Sequence, residues 1–255
     1  MSRVSLSNSG SPELRITDST SPENLRRFMK DSRADLLTSL KAEQILKSKE
    51  IEEALLNVPR EKFLWPGTPE SAAYFDEPVQ LGDTGQTISA PHMIVMMLEE
   101  LQLTSGLKVL EIGTGSGYNA ALISYIVSRG ISEAAELLVI SIERNGTLVK
   151  FARKNIEDVH LNSCCKVIEG DGSLGYPQQA DQELYDRIIV TAGAPHVPVF
   201  LKKQLKVGGI LEVPVGANGF QRLMILKKNT MGEFEQHRSV DCVFVPLIGS
   251  DAHKD

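Results

Sequence analysis

The stretch Lys108-Val-Leu-Glu111-Ile-Gly113-Thr-Gly115-Ser-Gly117-Tyr118 decides how the chain folds. A short apolar run, Lys108–Ile112, breaks into alternating glycines, and a helical pattern, Ala120–Val127, follows at once. Strand, glycine turn and helix in that order open a βαβ unit. Glycines at such a junction permit positive φ and let a ligand approach the backbone. Leu137–Ile142, Lys166–Ile168 and Arg187–Val190 are further runs rich in Val and Ile, with helical patterns at Thr147–Ile156 and Val197–Leu205. Near-continuous apolar strands alternating with helices predict a parallel sheet covered on both faces. The end of the chain differs. Ile210–Val215, Leu223–Leu226 and Val240–Leu247 follow one another without a helix, and Asn229 and Gly232 read as a hairpin turn. The expected fold class is therefore α/β, mainly parallel, with antiparallel C-terminal strands.

Upstream of the turn, Leu25 to Asn57 carries apolar residues at helical spacing, which predicts two short helices, the second ending near Pro59. Residues 59–87 are loop-like, and Trp65, Tyr74 and Phe75 within them either fasten the loop to the core or line a groove. Met93, Met96 and Met97 fall on a helix as core residues. Residues 1–24, rich in Ser, Asn, Thr, Pro and Gly, read as a flexible tail. The expected organisation is this tail, an N-terminal helical cap with a substrate loop over 25–105, and a core over 106–255 that forms one unit with the cap.

A chain of 255 residues can bury a large core without disulfides. Its net charge of −6 opposes an extended nucleic-acid footprint, which needs a basic face. Three cysteines, two of them adjacent at Cys164 and Cys165, fit reduced buried thiols and a cytoplasmic protein. No apolar run is long enough for a membrane span, and the N-terminus lacks the apolar middle of a signal peptide. No His, Cys or Asp set has metal-ligand spacing, and no G-x-S-x-G elbow supports a hydrolase.

The nicotinamide fingerprint would need Gly at position 118, where Tyr118 stands. A G-x-G-x-G turn led by an acid is instead the usual look of an S-adenosylmethionine site. Glu143 ends the next strand, 32 positions after Glu111, where a carboxylate can accept hydrogen bonds from two ribose hydroxyls. Asp171 and Gly172 end the following strand and can meet an adenine edge. His92 starts a helix, where a backbone hydrogen bond is its plainest use. His196 follows Ala-Pro at a strand-to-helix turn and is a candidate substrate contact.

On these residues the sequence resembles the protein-L-isoaspartate (D-aspartate) O-methyltransferases. The resemblance is carried by Val58-Pro-Arg-Glu-Lys-Phe63, Gly85-Gln-Thr-Ile-Ser-Ala-Pro-His-Met93, Val109–Tyr118, Gly170–Gly172, Asp186–Gly193, Lys206–Gly209, Val213–Gly216 and Phe244–Leu247. It implies a Rossmann-like S-adenosylmethionine-dependent methyltransferase fold with an unusual C-terminal strand arrangement. It implies S-adenosyl-L-methionine as cofactor and damaged proteins containing isoaspartate as substrates; composition adds the expectation of no membrane or nucleic-acid partner, and a monomer is expected. Ser89 matches the active-site serine. Thr87, Ile88, Glu111, Gly113, Gly115, Ser116, Glu143, Asp171 and Gly172 match cofactor positions, and Gln221 matches a late glutamine of the site. Ile94 stands where many members carry a second histidine, and Asn119 replaces the more usual glutamine.

A carboxylate acceptor is already ionised at neutral pH. Methyl transfer to it requires alignment and dryness rather than a general base, which suits a central serine hydroxyl. Two alternatives use the same motifs: an aspartyl methyltransferase with one dedicated partner, and a cofactor-binding adaptor without turnover.

Overall fold

A computed structural model describes residues 33–131 and 137–254. The expectations for the 1–24 tail and for the start of the cap, residues 25–32, lie outside the described residues. The first described elements are helix α1 (33–42) and α2 (Lys49–Asn57). The Glu99 carboxylate accepts the main-chain N–H groups of Lys47 and Ser48 and the Ser48 hydroxyl, so a residue of the next helix anchors the segment that leads into α2.

Two 3-10 turns, Arg60–Phe63 and Glu70–Tyr74, lead into a two-stranded ribbon of β1 (Val79–Gln80) and β2 (Thr87–Ile88). Trp65 packs on Phe151 with ring centroids 4.9 Å apart and lies against Gly82. Tyr74 bonds Arg33 and Glu61. These two aromatics fasten the loop, while Phe75 stands exposed. Helix α3 (Pro91–Leu101) starts on Pro91 at its first position, where a missing N–H costs nothing.

The main sheet has seven strands: β3 (Val109–Ile112), β4 (Val139–Glu143), β5 (Cys165–Glu169), β6 (Tyr185–Val190), β7 (Leu205–Ala217), β8 (Phe220–Lys228) and β9 (Phe234–Cys242). Their order is β5-β4-β3-β6-β7-β8-β9, parallel through β7 and antiparallel thereafter. Helices α4 (Tyr118–Ser128), α5 (Gly146–Asp158) and α6 (Val199–Gln204) supply the crossovers. β3 is flanked by β4 on one side and by β6 on the other, so the strand order reverses at its carboxyl end. Open α/β sheets bind ligands at such a reversal.

One apolar cluster joins α2, α3, α4 and α5 to one face of the sheet, and a second packs α6 and Leu247 on the other. The third C-terminal strand is a correction to the sequence reading. It runs over Phe234–Cys242, not Val240–Leu247. It is an edge strand with a mostly exposed run of Glu, Gln, His, Arg and Ser, so its polarity hides it. The apolar residues after it turn back across the sheet instead. Gly193 donates to the Val245 carbonyl and accepts from Leu247, each at 2.8 Å. The expected turn at Asn229 and Gly232 is present, with the Asn229 carbonyl accepting from Gly232. All three cysteines are buried and unpaired. Burial raises the Cys165 thiol to about 12 and the Cys242 thiol to about 11.

Candidate active site

The carboxyl ends of β3, β4 and β6 open into a cleft of about 460 Å³, within the range of small-ligand sites. Three segments distant in sequence build its walls. Gln86–Ser89 comes from the β1–β2 ribbon, Ile112–Ser116 from the glycine turn, and Val245–Ile248 from the returning C-terminal segment.

The turn is held from below. Gly113 donates to the Ile142 carbonyl at 2.8 Å, and a Cβ there would lie 2.5 Å from the Thr191 hydroxyl. Gly117 has φ +88°, and a Cβ on it would press on Ala152 and Ile156 of α5 at 3.2–3.3 Å. Only glycine meets both demands there, so the turn lets α4 pack closely on α5.

Glu143 projects from the end of β4 into the cleft. Its two oxygens accept from the Gly115 N–H at 3.0 Å and the Asn145 N–H at 2.9 Å. Each oxygen keeps a further acceptor site. Asn145 in turn caps α5 through its side chain, 3.0 Å from the Thr147 N–H. Glu111 does not line the cleft. It is fully buried beneath the turn, where it accepts from Asn119 Nδ2 at 2.7 Å and Ser141 Oγ at 2.5 Å. Burial lifts its carboxyl to about 7 against the pull of those two donors, with the nearby Glu143 charge adding to the rise.

Asn119 borders the cleft and donates its amide N–H to Glu111, while its buried Oδ1 has no hydrogen-bond partner. An orphaned acceptor, a carboxylate with free lone pairs, and apolar Ile112, Ile142 and Leu247 together fit an aminoacyl nucleoside. Thr87, Ile88, Ser89, Gly113, Gly115, Ser116, Glu143 and Gly172 all border this cleft, as does Ile94 at the position of the family's second histidine.

Besides Glu111, three expected residues stand elsewhere. Asp171 lies in an adjoining groove, where its Oδ1 accepts from the Ser173 N–H and hydroxyl and its Oδ2 from the Ser250 N–H at 2.7 Å. Burial alone would raise this carboxyl; the Ser173 and Ser250 donors outweigh it and hold the group below the ordinary carboxylate range. Gln221 is buried outside the cleft. Its amide bridges the Ala217 carbonyl and the Phe244 N–H, both at 2.8 Å, and thereby fixes the start of the C-terminal wall. His196 is exposed and pairs with Asp251 at 2.8 Å. His92 meets the Asp76 carboxylate through both its main-chain N–H and its ring, rather than a backbone group.

Sequence reasoning missed Asn145, Thr191 and Arg60 as parts of the site's frame. Arg60 was visible only as a member of the Val58-Pro-Arg stretch, with no role attached. No helix among the described residues is long and apolar enough to cross a membrane.

The model of the protein-L-isoaspartate(D-aspartate) O-methyltransferase family matches residues 31–252. A protein-L-isoaspartate O-methyltransferase of Staphylothermus marinus is 45% identical over 231 residues, covering 91% of this chain and all of the relative. One from Pyrococcus abyssi is 47% identical over 211 residues, covering 82% and 91%. Among solved structures, a protein-L-isoaspartate O-methyltransferase superposes with TM-score 0.74 at 31% identity, over 86% of this chain and 67% of its own. A Plasmodium falciparum protein assigned to the same activity, crystallised with S-adenosyl-L-homocysteine, gives TM-score 0.73 at 27% identity, over 85% and 98%. Motifs, topology and relatives agree across nearly the whole described chain, which belongs to the protein-L-isoaspartate(D-aspartate) O-methyltransferase family.

Proposed function

We propose that this protein is a protein-L-isoaspartate O-methyltransferase. It esterifies the α-carboxylate of L-isoaspartyl residues, or the β-carboxylate of D-aspartyl residues, and so initiates repair of damaged proteins. The observation that carries this reading is the meeting of Ser89 and Thr87 with the Gly113–Ser116 turn and Glu143 around one cleft. When bound, S-adenosyl-L-methionine supplies a methyl group on a sulfonium.

Glu143 would hold the ribose hydroxyls through its remaining lone pairs, and Asn119 Oδ1 would accept from the ligand's amine or amide-like edge. Ile112, Ile142 and Leu247 keep the base dry. Ser89 sits between β2 and α3, with its carbonyl fixed by Arg60 at 2.9 Å. Its hydroxyl donates to one oxygen of the acceptor carboxylate and leaves the other free to attack. No residue of the chain needs to remove a proton, because the acceptor is already an anion. The protein contributes orientation and the exclusion of water. The ester then closes spontaneously to a succinimide as the following main-chain nitrogen displaces methanol, and hydrolysis of the ring regenerates some normal aspartate.

Gly172 borders the cleft directly, and Asp171 supports it by tying down Ser250. His196, exposed beside the C-terminal segment, remains a proposed contact for the protein substrate. We place the enzyme in the cytoplasm as a monomer. Three buried thiols suit a reducing compartment, and the acidic net charge opposes nucleic-acid binding.

The test is incubation with S-adenosyl-L-methionine and two matched peptides, one containing L-isoaspartate and one L-aspartate, followed by mass spectrometry. Methyl ester and succinimide on the isoaspartyl peptide alone are expected. Methylation of neither peptide, with cofactor binding intact, would overturn the reading.

A further inference from the structure

Arg60 is a buried cation with too few partners. It lies in the 3-10 turn after Pro59 and is 2% exposed. Its guanidinium carbon sits 5.2 Å from the centroid of the Tyr118 ring, and Nη2 donates to the Ser89 carbonyl at 2.9 Å. Nε and Nη1 are buried without a hydrogen-bond partner. A guanidinium carries five N–H donors, so most of its capacity is unused. Asp76 is the nearby carboxylate, and Tyr74 and Tyr118 are the other titratable groups that face it. The Asp76 carboxylate, however, bonds the His92 N–H at 2.8 Å and the His92 ring at 2.9 Å, and is not bonded to Arg60. Burial lowers the Arg60 pKa from its ordinary value, against the opposing pull of Tyr118, Asp76 and Tyr74.

A cation in this state is expensive unless an anion compensates it. Its two contacts, Ser89 and Tyr118, both border the cleft. Arg60 therefore stands directly behind the part of the wall that offers the Ser89 hydroxyl. We infer that Arg60 is the charge that makes the acceptor site selective for a carboxylate, acting through its own poorly screened field rather than by holding the Ser89 main chain in place. The inference rests on the reading of the acceptor as a carboxylate.

The chemistry fixes where the effect must show. As the methyl group arrives, negative charge leaves the acceptor oxygen and the sulfonium becomes a neutral thioether. A fixed cation beside the acceptor thus stabilises the bound carboxylate more than the transition state. Its removal should weaken peptide binding and raise KM without lowering kcat. A residue that only pinned Ser89 would show the reverse, because misplacing Ser89 lowers kcat.

The experiment compares two peptides that differ in one group: an isoaspartyl peptide and its neutral isoasparaginyl counterpart. Affinity for each is measured with S-adenosyl-L-homocysteine bound, so no turnover intervenes. The wild type should prefer the charged peptide by about 10-fold or more, as a charge pair at low effective dielectric requires. In Arg60→Met the preference should collapse towards unity with affinity for S-adenosyl-L-homocysteine retained, and Arg60→Lys should restore part of it. Equal weakening of both peptides, or an undiminished preference, would overturn the inference.

A second measurement needs no variant. The preference of the wild type should persist at high salt, because a buried charge is poorly screened. Arg144, an exposed guanidinium also bordering the cleft, would lose its influence under the same conditions. Loss of the preference in salt would overturn the inference even if Arg60→Met failed to fold. Failure of the functional reading is separate: the wild type would then bind the cofactor product yet methylate no isoaspartyl peptide.

Discussion

The Gly115 main-chain N–H donates to Glu143 Oε2 at 3.0 Å, so the glycine turn after β3 and the acid at the end of β4 form one preorganised unit. The Asn145 N–H holds the other oxygen at 2.9 Å. The carboxylate is thus aimed before any ligand arrives, and its free lone pairs face the cleft. Removing its charge should cost about 10- to 100-fold in affinity for S-adenosyl-L-homocysteine, the worth of hydrogen bonds to a charged group. Calorimetric titration of Glu143→Gln would measure this, and an unchanged Kd would refute the assignment.

Ser89→Ala should leave that affinity alone. The hydroxyl orients the acceptor and holds no part of the cofactor. The expected loss is about 10- to 100-fold in kcat, in line with small misplacements of a reacting group. A fall in cofactor affinity of similar size would instead mean that Ser89 shapes the cleft as a whole.

Asp171 clamps the chain end by accepting from the N–H of Ser250, 79 positions away in sequence. Asp171→Ala should loosen residues 248–254 first. Hydrogen exchange there should rise well before the sheet responds. Because the carboxyl sits below its ordinary range, the stability it contributes is present above its unfolded value and is lost as pH falls through its folded one. Acidification should therefore reproduce the loosening in the wild type and change little in the variant.

Glu212 is a carboxyl in the interior of β7, fully buried, with neither oxygen hydrogen-bonded. Burial raises it well above the ordinary range, and the Glu100 charge adds to the rise. The folded protein keeps this proton where the unfolded chain has lost it. Stability is then greatest below the unfolded value and falls as pH rises towards the folded one. Glu111 has the same sign, with its loss running from about 4.5 to about 7. Urea midpoints of Glu212→Met should exceed those of the wild type by an amount that grows between pH 5 and pH 8. A constant difference across that range would reject the account.

The core strands were legible because each of β3 to β6 holds a Val- and Ile-rich stretch between turn or helix signals, as strands of a covered parallel sheet do. The glycine turn and Glu143 were legible for the same local reason. What escaped was non-local. β9 carries Glu235, Gln236, His237 and Arg238 on a solvent-facing edge, so its residues read as loop until β8 is known to lie beside them. Arg60 reads as a surface charge until the ring of Tyr118, far along the chain, closes over it. Asp171 reads as a ligand contact because a strand-end acid commonly is one. Only the path of residues 245–251 shows that its oxygens are committed to the protein itself.

That path also sets an order on the protein's first minutes. Val245–Ile248 completes a wall whose opposite side, Gly113–Ser116, leaves the ribosome more than a hundred residues earlier. At ordinary rates of synthesis the interval is on the order of 10 s. Throughout it, the glycine turn and Glu143 can exist as a half-built cradle, open on one flank to solvent and to chaperones. A chain that ends before Val245 therefore lacks four of the residues that line the finished cleft.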